Sequence, residues 1–150
     1  MKERDRKIKA CEFDYWIIFI YIHVGGTTKI ALFDKNSEWI PYTTQSSLSW
    51  EAVRDAITND LGINERDCYK DRYVGTTFDV NLPTDDELNA WASVIRLKDA
   101  SHLNPKKAEF KNFKWVTKKE AESMLTNKIY KKAFEIVFSK DSFWESLETE

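Results

Sequence analysis

Glycine and proline are scarce in this chain, with four Gly and three Pro among 150 residues. So few glycines leave little backbone able to approach a phosphate closely, which excludes a glycine-rich phosphate loop; no G-x-S-x-G nucleophile motif is present either. No Gly/Ser/Pro-rich stretch, low-complexity segment or internal repeat marks a linker, so the length fits one domain. The two cysteines, Cys11 and Cys68, are too few for a disulfide framework and form no C-x-x-C pair, which points to a reducing compartment. The two histidines, His23 and His102, have no ligand-spaced partner, and His23 reads as a hairpin residue. Neither sign of charge is in excess: the net charge of −2 gives no global pull toward nucleic acid or anionic lipid. The one long apolar run, YWIIFIYIHV (Tyr15 to Val24), is about half the length that spans a bilayer. Acidic residues precede it and no small-residue cleavage site follows, so it does not read as a signal peptide. The expectation is a soluble intracellular protein with no membrane contact.

What is present is aromatic. Six Trp, six Tyr and nine Phe supply a real core and argue against disorder. Residues 1–11, which include the charged MKERDRKIKA, read as a flexible segment, and residues 12–150 as a single domain. From Glu12 to Ile22 the residues are aromatic or β-branched with hardly a polar interruption, which predicts a strand buried on both faces. Gly25 and Gly26 turn it into a second strand, TKIALFD. NSEWIPYTTQSS reads as a loop. Ser49 is placed to cap a helix with Glu51 in its first turn; Trp50, Val53, Ile57 and Leu61 form its packing stripe, and Gly62 stops it. Strands are expected at Tyr73 to Val80, at Leu88 to Asp99 and at FKWV, with NLPTDD a turn between the first two. Thr117 and Glu120 are spaced as a capping box, and Ile129, Ala133, Ile136 and Val137 recur at helical spacing in the remainder. Hairpin, helix, strands and helix in that order predict an α+β fold, a mixed sheet flanked by helices.

The same residues resemble the Nudix family over about residues 12 to 138. Its signature is G-x5-E-x7-R-E-U-x-E-E-x-G-U, with U aliphatic, placed after an early hairpin. Here WIPY resembles the entry to that box, and NDLGI stands where the family has E-E-x-G-U. YVGTTFDV, AWASVIRLKD and FKWVTKKEAESML are similar to the strands and helix that follow. The resemblance implies an α/β/α sandwich. It also implies hydrolysis of a nucleoside diphosphate derivative by water, aided by Mg²⁺ or Mn²⁺ that neutralise phosphate charge and position the nucleophile.

The box itself departs from that pattern. With Gly62 and Ile63 as the final G-U, the family's R-E falls on Asp55 and Ala56, the E-E pair on Asn59 and Asp60, the first glutamate on Ser47 and the opening glycine on Pro41. One carboxylate stands where four are expected. An amide oxygen donates to Mg²⁺ without offsetting its charge, so Ala56, Asn59 and Asp60 make a poor helical site. Arg54 is one residue from the arginine position, about 100° around the helix. Candidate replacements are Glu51 and Asp55, which flank Asn59, and Glu109, in a loop from which some family members draw a catalytic acid. Asp60 and Glu109 are the catalytic candidates; Asp60, Asn59, Glu51 and Asp55 are the metal candidates.

Seven lysines between Lys98 and Lys119 interleave with Phe110, Phe113 and Trp115. They read either as a solvated face or as a phosphate-contacting surface in which Lys106, Lys107, Lys111 and Lys114 would take part. SFWESLETE at the end reads as a partner contact or as a segment folded back. The expectation is a Nudix-like domain with a degenerate box that binds a nucleotide, an RNA or a protein partner, with no cofactor. The alternative is a divergent active hydrolase using Mg²⁺ or Mn²⁺.

Overall fold

The computed structural model describes residues 15–45, 49–74, 80–83 and 89–138. The expected flexible segment 1–11, the Ser47 position, most of YVGTTFDV, the second half of NLPTDD and SFWESLETE lie outside these residues.

Strand β1 (Tyr15–Val24) is the centre of the molecule. Side chains alternate across a strand, and here both parities are apolar. Trp16, Ile18, Ile20 and Ile22 enter one core cluster, while Ile17, Phe19 and Tyr21 enter the other. Each such side chain removed from water contributes roughly 1.5–3 kcal/mol before chain entropy is counted. Gly25 and Gly26, at φ +57° and +79°, make the tight turn to β2 (Thr27–Lys35), antiparallel in the register Ile20 to Ala31 through Val24 to Thr27. On its other edge β1 runs parallel to β6 (Asn89–Arg96), from Tyr15 opposite Ala90 to Tyr21 opposite Arg96.

Two short strands replace the expected loop after β2. Asn36 and Ser37 turn at φ +52° and +69° into β3 (Glu38–Ile40), which pairs back on β2. Pro41 then separates it from β4 (Tyr42–Thr44), antiparallel to the first half of β1. An Asn-Ser pair signals this turn less strongly than Asn-Gly, and strands of three residues show no periodicity.

A second correction concerns β5 (Val80–Pro83), which lies where a turn was expected and pairs with β6. β5 is an edge strand, a place in a sheet where proline is tolerated. Tyr73 and Val74, expected in a strand, are in irregular backbone. Strand β7 (Phe113–Thr117) flanks β2 and completes a seven-stranded mixed sheet.

Helix α1 (Trp50–Leu61) covers one face. The Ser49 side chain accepts from the Ala52 N–H, and Gly62 ends the helix in the left-handed region. Val53, Ile57 and Leu61 are buried as expected; Trp50 is not, being 37% exposed at the helix start. On the other face lie α2 (Lys118–Met124), opened by the Thr117–Glu120 capping box, and α3 (Lys128–Phe138). Ala133, Phe134, Val137 and Phe138 of α3 are buried, with Ile129 and Ile136 half-buried. The result is the α+β sandwich the element order implied. No helix among the described residues is long and apolar enough to cross a membrane.

Candidate functional site

Asp60 is in the last turn of α1, next to buried Leu61, and is itself half-buried. Facing it is Tyr42 of β4, whose ring is fully buried 5.1 Å from that of Phe110. The Tyr42 hydroxyl donates to Asp60 Oδ2 at 2.7 Å. Burial first, and then the bond to Asp60 and its charge, push the hydroxyl far above the ordinary tyrosine range. It stays a donor, and one oxygen of the Asp60 carboxylate is thereby engaged by protein.

The end of α1 organises the rest. Its last carbonyls lack helical partners and carry the negative end of the helix dipole. The loop at 104–107 supplies the donors: Asn104 N–H to Leu61 O at 2.9 Å, Lys106 N–H to Asp60 O at 2.7 Å and Lys107 N–H to the same oxygen at 3.1 Å. Gly62 permits this approach, because a Cβ there would stand 2.8 Å from Asn104 O. The docked loop turns through residues Ala108–Phe110, and Phe110 packs edge-on to Phe33 at 5.2 Å. Glu109 is thus held beside the Tyr42–Asp60 pair, close enough for its charge to act on the Tyr42 hydroxyl.

Glu109 is clasped by two lysines. Its Oε1 lies 3.0 Å from Lys107 Nζ and its Oε2 3.4 Å from Lys35 Nζ. The Lys107 bond holds the Glu109 carboxyl below the usual range, with Lys35 adding to the effect, and Glu109 in turn raises Lys107. These three side chains line a cavity of about 540 Å³ together with Thr43, Thr44, Gln45 and Tyr130.

The donors present do not fit the cluster of divalent cations that the resemblance implies. Among the described residues no three His, Cys, Asp or Glu side chains gather as metal ligands. Glu51, Asp55 and Asn59 are exposed along α1, and nothing draws them into one cluster with Asp60. Ala56 offers no donor. Both oxygens of Glu109 face ammonium groups, and a divalent ion there would meet like charge. Arg54 points away from the acids: its Nε donates to Val74 O at 2.9 Å and its guanidinium lies 5.2 Å from the Tyr73 ring centre.

The structure also divides the lysines. Lys106 and Lys107 sit at the end of α1, with Lys107 turned to Glu109; Lys111 is exposed after the 108–110 turn. Lys114 shares its strand parity with Val116, which belongs to the core on the α2–α3 side, so it faces away from the other three. Phe113 and Trp115 are half-buried, packed against the α1-side core rather than presented to a ligand.

Sequence reasoning missed Tyr42, Lys35 and Tyr130. Tyr42 depends on β4 folding back along β1, for which the local sequence carries no periodic signal, and Lys35 and Tyr130 come from β2 and α3, distant from it in sequence. It also missed a ring cluster: Trp16 lies 4.7 Å from Trp50 and 5.6 Å from Trp91, the latter nearly parallel. Trp16 is the cross-strand partner of Thr44, which lines the cavity.

By sequence the chain matches no family model and no curated protein. Its fold does have relatives among solved structures. A binary complex of the C. elegans Ap4A hydrolase is similar at a TM-score of 0.68 and 12% identity, over 88% of this chain and 98% of that one. The C-terminal domain of mouse MUTYH in complex with human PCNA is similar at 0.58 and 10%, over 83% and 86%. The Nudix domain of Shewanella oneidensis NrtR, solved with ADP ribose, is similar at 0.57 and 12%, over 98% and 99%. Sheet order, helix placement and these likenesses agree: the chain has the Nudix fold.

Proposed function

We propose that this chain binds a phosphate-bearing nucleotide in the cavity at the end of α1 and does not hydrolyse it. The observation that carries the reading is the commitment of both nearby acids to protein partners, Asp60 to Tyr42 and Glu109 to Lys35 and Lys107. Splitting a phosphoanhydride in this fold relies on divalent ions to neutralise phosphate and activate water. Carboxylates already neutralised by lysines are poor anchors for such ions. A cavity of about 540 Å³ is of the size that holds a small ligand. Trp50, 37% exposed and in ring contact with Trp16, offers ring surface on which a base can stack. That the Nudix domain of NrtR was solved with ADP ribose supports a nucleotide as the ligand class.

The test is incubation of the pure protein with a panel of nucleoside diphosphate derivatives and Mg²⁺ or Mn²⁺, alongside calorimetric titration of the same compounds in EDTA. The expected result is binding that survives EDTA with no product formed. Turnover that Asp60→Ala abolishes would overturn the reading.

A further inference from the structure

We infer that Lys35 and Lys107 form a metal-free seat for a phosphoryl group, with Glu109 as its resident counter-anion, displaced when the ligand arrives. This rests on the nucleotide-binding reading and adds how the phosphate is recognised.

Each lysine is anchored through its backbone. Lys35 ends β2, paired with Glu38 of β3, and the Lys107 backbone is pinned to the Asp60 carbonyl. Glu109 lies between them on a turn anchored by buried Phe110. An ammonium group has three donors, and each lysine directs one at a different oxygen of Glu109, leaving two apiece. The lysine side chains are 44% and 53% exposed, against 32% for Glu109, so the unused donors are open to solvent. Both lysines line the cavity, with Thr43, Thr44 and Gln45 adding further polar groups.

Charge arithmetic favours exchange. The trio carries one net positive charge with Glu109 in place and two with Glu109 swung aside, which matches a phosphoryl dianion. Exposed ion pairs hold weakly, so a carboxylate with one charge yields to a group with more charge and more acceptor oxygens. Holding two ammonium groups close together without a counter-anion is unfavourable, which gives Glu109 a role in the empty state. Asp60, whose charge also reaches Lys107, stays engaged with Tyr42 throughout.

The experiment is calorimetric titration of inorganic pyrophosphate, and separately of ADP, into the full chain in EDTA at low salt. The wild type is compared with Lys35→Ala, Lys107→Ala and Glu109→Gln, each checked for an unchanged melting curve. Each lysine variant is expected to weaken pyrophosphate binding by about tenfold, as loss of one charge-assisted contact does. Glu109→Gln is expected to tighten it, because the competing charge is gone and the side-chain shape is kept. An acid that instead holds a cation makes the opposite prediction: Glu109→Gln would weaken binding, and wild-type binding would need Mg²⁺. Either of those results, or lysine variants that bind as well as the wild type, overturns the seat. ADP bound equally by all four proteins leaves nucleotide binding standing and removes the seat. Failure of both ligands to bind any of the four proteins removes both readings.

Discussion

The Tyr42 hydroxyl and the Asp60 carboxylate meet at 2.7 Å across eighteen residues of sequence. This bond ties β4 to the last turn of α1, and it occupies one oxygen of Asp60. A hydrogen bond to a charged group contributes about 1.5–3 kcal/mol, and removal of its donor leaves a half-buried carboxylate undersatisfied. Tyr42→Phe is therefore expected to lower unfolding stability by about that amount in urea titration, and by much less in an Asp60→Ala background. Equal losses in both backgrounds would show that the bond carries no coupling.

Alkaline pH should expose the same group. Tyr42, Tyr73, Tyr130 and Cys68 all have raised proton affinities in the fold, burial being the largest cause in each; Tyr73 and Cys68 are pushed up to about 12. Above the ordinary thiol and phenol values of 9.0 and 10.0, the unfolded chain gives up protons that the native chain retains. Stability present below that range is then lost as pH rises through it. Denaturation midpoints measured from pH 8 to pH 11 should fall, and Tyr42→Phe should flatten the decline. An unchanged slope in that variant would assign the decline to the other groups.

Gly62 is where a single carbon should do the most local damage. Its φ of +72° disfavours any side chain, and an added Cβ would meet Asn104 O at 2.8 Å. Gly25 has a similar φ but nothing within 4 Å of the added atom. Gly25→Ala is expected to cost about 1 kcal/mol, the conformational part alone. Gly62→Ala should cost about 2 kcal/mol or more and loosen the loop carrying Lys107 and Glu109. Identical melting shifts for the two variants would mean the Asn104 contact relaxes freely.

The fold was legible where periodicity was long. A ten-residue apolar run interrupted only by His23 marked β1, the spacing of Val53, Ile57 and Leu61 marked α1, and Ser49, Gly62 and the Thr117–Glu120 box marked helix ends that the structure retains. Strands β3 and β4 are too short to show a period, and Pro83 disguised β5 as a turn. Of the site, Asp60 and Glu109 were legible as acids at informative positions. Their partners were not, because Tyr42 and Lys35 reach them only through long-range strand pairing. Trp50 illustrates the limit of a helical stripe: it has the right spacing, but as the first helical residue it is left 37% exposed, in ring contact with buried Trp16.

The tryptophan cluster allows a comparison of burial at similar ring contacts. Trp16 is 5% exposed and Trp50 37%, yet their rings are in contact. Trp16→Ala should cost about 3–5 kcal/mol, through lost transfer energy and the cavity left in the α1-side core. Trp50→Ala should cost about 0.5–1.5 kcal/mol, the scale of one aromatic pair. If Trp50 also serves as the stacking surface for a base, its variant should lose ADP affinity while retaining pyrophosphate affinity. Parallel loss of both ligands would place its effect on the fold rather than on stacking.

Divalent ions give the sharpest test of whether α1 carries a metal site. A resident site filled at about one hundred times its dissociation constant stabilises the folded state by about 2.7 kcal/mol, a shift of several degrees. Millimolar Mg²⁺ or Mn²⁺ is expected to move the wild-type melting temperature by less than about 1 °C, and EDTA to leave it unchanged. The helix still has the geometry to be rearmed, since Ala56, Asn59 and Asp60 stand at i, i+3 and i+4 on one face. Ala56→Glu combined with Asn59→Glu should restore a metal-dependent shift, because two added carboxylates offset the charge that one acid cannot. The contrast separates a missing donor set from a blocked cleft. A shift in the wild type would mean Asp60 suffices, whereas none in the rearmed variant would mean that Tyr42, Lys35 and Lys107 close the site to cations whatever acids the helix carries.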